Sequence, residues 1–330
     1  MGLTVAVTGP TGEIGMSAVA ALEAQPGVDR IVGMARRPFD PSANGWSKTE
    51  YRQGDVLDRA AIDDLVRDAD VVVHLAYLIM GSREESRRIN LAGTRNVFEA
   101  TVAAARPTRL VYTSSVAAYG YHADNPVPIT EDVPTRGSKE HYYSEQKAEC
   151  EAVLREVTGG HDREVYVLRP CIVAGPQAPA LADTMPWRQL RDALPPPLRG
   201  TVATLQSVLP LMPDPGLPLQ LVHHDDVADA IALAATGAGK PGAYNLAADG
   251  EVTLGDVARA TGTRSVRIPH AAAVAASAVL ARLPMVPAAA EWVHTGRTSV
   301  VMDTRRAKDI LGWRPKYTSQ QTLAALAAAI

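Results

Sequence analysis

Residues 4–15 read TVAVTGPTGEIG, a short apolar, β-branched run that passes into a turn with Gly9, Gly12 and Gly15 spaced by threes. The helical pattern SAVAALEAQ follows directly. Glycines at such a turn let the backbone bend sharply and approach a pyrophosphate, whose charge the helix N-terminus stabilises. The spacing alone is a weak signal. Its place after a first strand and before a first helix is what makes it a candidate cradle rather than a tight connection with no ligand.

Working outward, short β-branched runs alternate with longer helical patterns: RIVGMA; AIDDLVRD, then VVVHLA; NLAGTRNVFEATVAAA, then RLVYTSS; and later EVYVLRPCIV. A crossover helix returns the chain in the same direction, so strands separated by helices pair in parallel. The order predicts an α/β fold with a doubly wound, parallel Rossmann-type sheet. Between residues 176 and 218 fall 10 of the 24 prolines, which excludes a regular helix or a central strand there. LQLVHHDDVADAIALAA and AYNLAAD then resume the pattern, and the remainder is mostly helical. The expected division is a dinucleotide-binding domain over 1–175 plus about 219–247. A smaller, mostly helical substrate-binding cap takes 176–218 and 248–330.

Composition bounds the function. The 330 residues are 46% hydrophobic and 21% charged, with 33 Lys plus Arg against 36 Asp plus Glu, a formal charge of −3. That balance is ordinary for a globular protein and points away from nucleic acid or an anionic membrane as partner. Two cysteines, Cys150 and Cys171, make neither a disulfide framework nor a four-ligand zinc site. The start MGLTVAVTG shows no charged leader, so a cytoplasmic setting is expected. The apolar stretch 268–290 is broken by Arg282, Pro284 and Pro287 and reads as packing helix rather than a membrane span. His223-His224-Asp225-Asp226 invites a metal, but adjacent strand residues point to opposite faces, so no metal is expected and Asp225 or Asp226 reads as a helix N-cap.

The second strand ends in IVGMARRP. An acid there hydrogen-bonds the adenine ribose of NAD, whereas arginine accommodates the extra phosphate of NADP. Ala35, Arg36 and Arg37 stand at that position, so NADP is the expected cofactor and NAD the alternative. Asp55, in GDVLD after the third strand, is a candidate for the adenine amino group or a plain turn residue.

Residues 140–151 read EHYYSEQKAECE. Residues four apart share a helix face, so Lys147 lies under Tyr143 and not under Tyr142. A nearby ammonium favours the phenolate and pulls a phenol pKa down from about 10. Tyr143 is thereby a candidate acid or base. On RLVYTSS, alternation puts Thr113 and Ser115 on one face and Ser114 on the other. A hydroxyl there stabilises charge on a substrate oxygen, or simply starts a turn.

TGPTGEIG, TSSVAAYG and YSEQK in that order resemble the extended short-chain dehydrogenase/reductase family, also called the NAD-dependent epimerase/dehydratase family. The likeness continues through GDVLD, HLA, INLAGTRNVFEA, LRPCIVAGP, VHHDDVADAIALA and LGWRP, nearly the whole chain. It implies hydride transfer with Tyr143, Lys147 and Ser115 as catalytic residues, Ser114 being the fallback. It implies cofactor contacts at Gly9, Thr11, Gly12, Glu13, Ile14, Gly15, Arg36, Arg37, Asp55, Val56, Leu75, Ala76, Tyr77, Asn90, Thr113, Pro170, Ile172 and Val173. Asn90 reads equally as a helix–helix hydrogen bond. A homodimer is the family habit, with Val97, Val102 and Val153 as candidate contacts.

Two departures from the family narrow the reaction. Dehydrating members carry an Asp-Glu pair where this chain has Val116 and Ala117. Sugar epimerases place an Asn where this chain has Ile172, and Gln177 stands where many have arginine. Leu205, Val208, Leu209, Leu211 and Met212 add an apolar cap. The expectation is an oxidoreductase interconverting carbonyl and alcohol on a small or medium hydrophobic molecule. A nucleotide-sugar 4-epimerase and a non-catalytic NADP-sensing protein are the alternatives. Cys171 reads as packing, and His141, Trp292 and His294 as candidate pocket lining.

Overall fold

The computed structural model describes residues 2–79, 82–183, 195, 210–280 and 298–330. Seven strands form one parallel sheet: β1 (Leu3–Thr8), β2 (Val28–Ala35), β3 (Thr49–Gln53), β4 (Val71–His74), β5 (Arg109–Thr113), β6 (Glu164–Pro170) and a last strand, Gly242–Leu246. Before that last strand come two short ones, β7 (Ile172–Ala174) and β9 (Leu221–His223), which pair with each other, and β8 (Pro210–Asp214). The strand at 242–246 is therefore β10, and β11 (Arg264–Arg267) pairs with β8. The sheet order β10-β6-β5-β4-β1-β2-β3 reverses direction between β1 and β4. That switch point opens a crevice at the strand C-termini.

Helices α1 (Glu13–Glu23), α2 (Arg59–Val66), α3 (Arg83–Arg87), α4 (Gly93–Ala103), α5 (Tyr142–Thr158), α6 (Ala180–Asp183), α7 (His224–Ala235), α8 (Leu254–Ala260), α9 (His270–Leu280) and α10 (Ser319–Ala329) are the described α-helices. Strand periodicity decides the layers. Val5, Val7, Val71, Val73, Val111 and Leu168 pack under α1 and α7, through Ala18, Leu22, Val227 and Ile231. The alternate residues Ala6, Val32, Val72, Leu110 and Tyr112 pack under α2, α4 and α5, through Ile62, Val97, Phe98, Cys150 and Leu154. Strands buried on both faces are what a doubly wound parallel sheet requires.

A third, separate cluster holds Ala174, Leu181, Met212, Leu221, Val257, Leu323 and Leu326, drawn from both of the expected domains and here called the cap core. The segment 301–313, assigned to the cap by sequence, instead sends Met302, Leu311 and Trp313 into the core beneath the sheet. Ile129 N donates to Val301 O at 2.7 Å and Asp303 N to Ile129 O at 2.8 Å, tying that segment to the loop before α5. The run EVYVLRPCIV, read as one strand, breaks at Cys171, whose N donates to Leu246 O, and β7 continues in the small sheet.

Two further expectations change. Val97, offered as a dimer contact, is fully buried in the core, while Val102 and Val153 are half-buried. Exposed faces of α3, α4 and α5 carry intrachain pairs, Arg83–Glu145, Arg87–Glu149 and Arg95–Glu156. The cap of α7 is His223, whose Nδ1 accepts from Asp225 N, whereas the Asp226 carboxylate accepts from Lys316 N and Tyr317 N. Trp313 Nε1 donates to Asp226 O at 2.7 Å, so the LGWRP stretch is anchored on α7. No described helix is long and apolar enough to cross a membrane.

Candidate active site

The glycine turn meets its neighbours closely. Gly9 has φ +76°, and a Cβ there would lie 2.8 Å from Ala76 at the end of β4. A Cβ on Gly15 would lie 2.1 Å from Gly9 O, so α1 packs against the turn only because residue 15 lacks one. Gly12 is the N-cap of α1, exposed, and makes no side-chain cap. The N-terminus of α1 thus meets the switch point without a side-chain cap, flanked by half-buried Thr11 and Ile14. These features fit a dinucleotide pyrophosphate on chemical grounds. Glu13 adds an acid in the first turn, but its carboxylate turns aside to accept from Ala180 N at 3.2 Å.

Around the crevice, Arg36 and Arg37 are exposed just beyond β2, and neither guanidinium is paired among the described residues. Asp55 accepts from Leu57 N at 3.0 Å, the turn bond its alternative reading described. Val56 packs against Gly93 of α4, and its carbonyl accepts from Asn96. Leu75, Ala76 and Tyr77 leave β4 half-buried. Pro170 is buried at the end of β6, Val173 packs toward the main core, and Ile172 packs toward the cap core.

Asn90 lies in a π-helical turn, Arg88–Ala92, between α3 and α4. Its amide accepts from Leu78 N at 2.8 Å and donates to Leu78 O at 3.0 Å and Gln146 Oε1 at 2.9 Å. It therefore fastens the loop after β4 to α5, and its side chain is fully used within the protein.

On α5, Tyr143 and Lys147 stand one turn apart, with the ammonium 5.9 Å from the Tyr143 ring centroid. Burial raises the Tyr143 pKa, and the neighbouring Ser115 hydroxyl pulls it partly back. The sequence-based expectation of a lowered phenol pKa therefore does not hold in this state, because burial outweighs the stabilising contacts. The Lys147 ammonium is itself desolvated, which lowers its pKa from 10.5 to about 8, while Cys150 and Glu151 raise it. Its Nζ donates to Thr113 O at 3.1 Å. Buried Thr113 Oγ1 has no hydrogen-bond partner among the described residues, an acceptor and donor left for a ligand.

Ser115 is extended (φ −163°, ψ 155°), so strand alternation runs past the end of β5. Its Oγ accepts from Ala117 N at 3.2 Å, starting a short 3₁₀ turn, Val116–Tyr119. Ser114, on the opposite face, is committed elsewhere: its hydroxyl donates to Glu151 Oε1 at 2.7 Å. Glu151 also receives Arg169 Nε at 2.9 Å and Nη2 at 2.7 Å. Arg169 reaches Tyr119, whose hydroxyl donates to Asn245 Oδ1 at 2.7 Å. The sequence reading missed this buried network. Glu151 was visible as the third member of the stripe 143, 147, 151, but its partners on β5 and β6 were not.

Tyr142 lies off the stripe and its hydroxyl donates to Ile79 O at 3.1 Å. His141 caps α5 through Nδ1 to Ser144 N and stands edge-on to Tyr143, with ring centroids 6.1 Å apart. Tyr121 packs on His141 at 5.2 Å, which makes an aromatic run Tyr121–His141–Tyr143.

The expectation that His223 and His224 face apart fails. Their rings lie 4.2 Å from centroid to centroid, because α7 begins at His224 and ends the strand alternation. With Asp225 they form a cluster of metal-ligand types. Hydrogen bonds occupy it instead: His224 Nδ1 meets Ser17 Oγ at 2.8 Å, and His224 Nε2 accepts from Gln177 N at 3.3 Å. Gln177 thus turns toward α1, where Ser17 donates to its Oε1 at 3.1 Å. Cys171 is buried and burial pushes its thiol pKa up, as packing requires. Met212 is buried in the cap core, while Leu205, Val208, Leu209, Trp292, His294 and the Leu211 side chain lie outside the described residues.

Comparison with known proteins gives a consistent setting. The model of the NAD dependent epimerase/dehydratase family matches residues 5–247. An uncharacterized protein of Mycobacterium tuberculosis (strain ATCC 25618 / H37Rv) is 27% identical over 326 residues, covering 96% of this chain and 81% of that protein. A dTDP-6-deoxy-L-talose 4-dehydrogenase (NAD(P)(+)) of Kitasatospora kifunensis is 29% identical over 328 residues, covering 97% and 93%. Among solved structures, dTDP-glucose 4,6-dehydratase from Bacillus anthracis str. Ames, in complex with NAD, superposes with a TM-score of 0.72. That match covers 99% of this chain and 96% of the other at 18% identity, a likeness of fold.

Proposed function

The chain belongs to the NAD-dependent epimerase/dehydratase family, and on that premise we propose that it interconverts a carbonyl and an alcohol on a small or medium hydrophobic molecule. The observation that supports this reading is buried Lys147 one turn from Tyr143, 5.9 Å from its ring, with the Ser115 hydroxyl near enough to lower the Tyr143 pKa, at a strand end whose next residues, Val116 and Ala117, bring no carboxylate. A hydroxyl pair of this kind holds one oxygen and moves one proton. Water loss needs an acid and a base of its own, which that turn does not offer.

A nicotinamide cofactor, when bound, supplies the hydride. Gly9 through Gly15 would hold its pyrophosphate and Lys147 its ribose. Ser115 would orient the substrate oxygen, and Tyr143 would give up or take its proton while Lys147 stabilises the phenolate. Aromatic Tyr121 and His141 beside Tyr143, with Ile172 on the cap side, favour an apolar ligand over a diphosphate, which would lose hydration there without compensation. We take NADP(H) as the preferred cofactor, because Arg36 and Arg37, exposed at the end of β2, are unpaired among the described residues. Two free, buried cysteines suit the cytoplasmic setting we propose. A homodimer through α4 and α5 belongs to the proposal only by way of Val102 and Val153. A 35.0 kDa particle in light scattering at micromolar concentration would remove it.

The second reading is a nucleotide-sugar enzyme, a 4-epimerase or dehydrogenase, favoured by the full-length likeness to the dTDP-sugar 4-dehydrogenase. Calorimetry of cofactor-loaded protein with UDP and dTDP, beside a turnover screen of ketones, separates the two. Ketone reduction without nucleotide binding is the expected result. Micromolar nucleotide binding with no ketone turnover overturns it.

A further inference from the structure

The loop that leaves β4 contributes a ring with an unusual neighbour. Tyr77 lies with its centroid 3.7 Å from Lys147 Nζ, much nearer than Tyr112 at 5.4 Å or Tyr143 at 5.9 Å. The lysine is 3% exposed, so water does not solvate its charge, and Thr113 O is the hydrogen-bond acceptor it reaches. A desolvated ammonium over an aromatic face is held by the ring quadrupole.

Tyr77 is itself fixed from both sides. Ala76 N donates to Thr8 Oγ1 at 3.4 Å, and both backbone groups of Leu78 are bonded to Asn90. The Tyr77 ring also stands edge-on to Tyr143, 5.5 Å between centroids. Its hydroxyl, buried, makes no hydrogen bond of ordinary geometry among the described residues. The face of the ring is what meets Lys147.

We propose that Tyr77 is a positioning residue for Lys147: its ring face holds the ammonium beside Thr113 O, charged and aimed for the nicotinamide cofactor. This rests on the nicotinamide reading above. The groups that face Lys147 are Tyr77 from the loop, His74 from β4, Tyr112 and Thr113 O from β5, and Tyr143, Cys150 and Glu151 from α5. His74 is held neutral by burial, its pKa lowered to about 3. Glu151 is already neutralised by Arg169. Beside the Thr113 carbonyl, the ring is thus the uncharged group placed to favour the charged lysine, and removing it should lower the pH at which Lys147 loses its proton.

The test is NADPH affinity of the full chain by fluorescence titration from pH 6 to 10, with melting curves as a folding control. Wild type should bind well at pH 7 and lose affinity as Lys147 deprotonates. Tyr77→Leu should bind roughly three- to thirtyfold more weakly at pH 7, and its alkaline loss should begin at lower pH. Tyr77→Phe should follow the wild-type curve. In a Lys147→Met background, Tyr77→Leu should add little. Should Tyr77→Leu not fold, Tyr77→Met, also without a ring, carries the same expectation. A Leu or Met curve that coincides with wild type, a Phe curve that shifts with them, or additive losses in the double variant overturn the proposal. Wild type that binds neither NADPH nor NADH overturns the functional reading instead.

Discussion

The Ser114 hydroxyl donates to the Glu151 carboxylate at 2.7 Å, and both groups are buried. Ser115, its neighbour on the opposite face, accepts from Ala117 N and lies beside Tyr143, whose pKa it lowers. Two adjacent serines thus have separate duties. Ser115→Ala should lower kcat about 10²–10³-fold with little change in stability, since it removes a donor to developing charge. Ser114→Ala should cost about 1.5–3 kcal/mol of stability, the range for a hydrogen bond to a charged group, and leave the chemistry largely intact. Urea denaturation and turnover on a substrate from the ketone screen check both; equal loss of activity in the two variants would refute the division.

The tyrosine pair divides in the same way. Tyr143→Phe should remove proton transfer and cut kcat about 10²–10⁴-fold. Tyr142→Phe loses one bond to the Ile79 carbonyl and should keep activity within a few-fold of wild type. Comparable losses in the two single variants would show that the stripe Tyr143–Lys147 is not the working face.

What the sequence disclosed followed from local geometry. The glycine turn, the parallel order and the stripe 143, 147 each depend on residues a few positions apart; the turn meets Ala76 after β4, and the stripe meets Tyr77 and Thr113. Glu151 continues that stripe, yet its importance comes from Ser114 and Arg169, which reach it only because β5 and β6 are neighbours in the sheet. The break at Cys171 is equally nonlocal, since its amide is taken by Leu246 of β10. His223 and His224 were misplaced because strand alternation was carried one residue into a helix. The phenol pKa was misjudged because spacing reveals a charge partner and does not reveal the depth of burial that opposes it.

Cofactor preference has a direct test. The guanidinium groups of Arg36 and Arg37 are exposed and unpaired among the described residues, and a charge-assisted contact to a 2′-phosphate contributes about 1.5–3 kcal/mol. NADP(H) should bind at least about tenfold more tightly than NAD(H). Arg36→Ala with Arg37→Ala should erase that margin while leaving NAD(H) affinity nearly unchanged. Titration that gives tighter NAD(H) in wild type would make both arginines ordinary surface residues.

The burial of Lys147 predicts a stability that depends on pH in a definite direction. Its native pKa, about 8, lies below the 10.5 of an exposed lysine. At pH 7 it is protonated in both native and unfolded chains, and the native state carries the full cost of a desolvated charge. Between about 8 and 10.5 the native protein releases its proton while the unfolded chain keeps it, so stability rises with pH across that window. The gap corresponds to roughly 3 kcal/mol at most. Lys147→Met should therefore be more stable than wild type at pH 7 by about 1–3 kcal/mol, less the lost bond to Thr113 O, and wild type should close the difference by pH 10. Above that, buried Tyr77 and Tyr112, whose pKa values burial raises, oppose further gain. They act in both proteins and cancel in the comparison. Urea denaturation of the pair at pH 7, 8, 9 and 10 reads the difference directly. A gap that stays constant, or a wild type more stable at pH 7, would show that Lys147 is not desolvated as the structure places it. The expected result identifies a buried charge kept at the expense of stability, which is the usual sign that a residue is held for its chemistry.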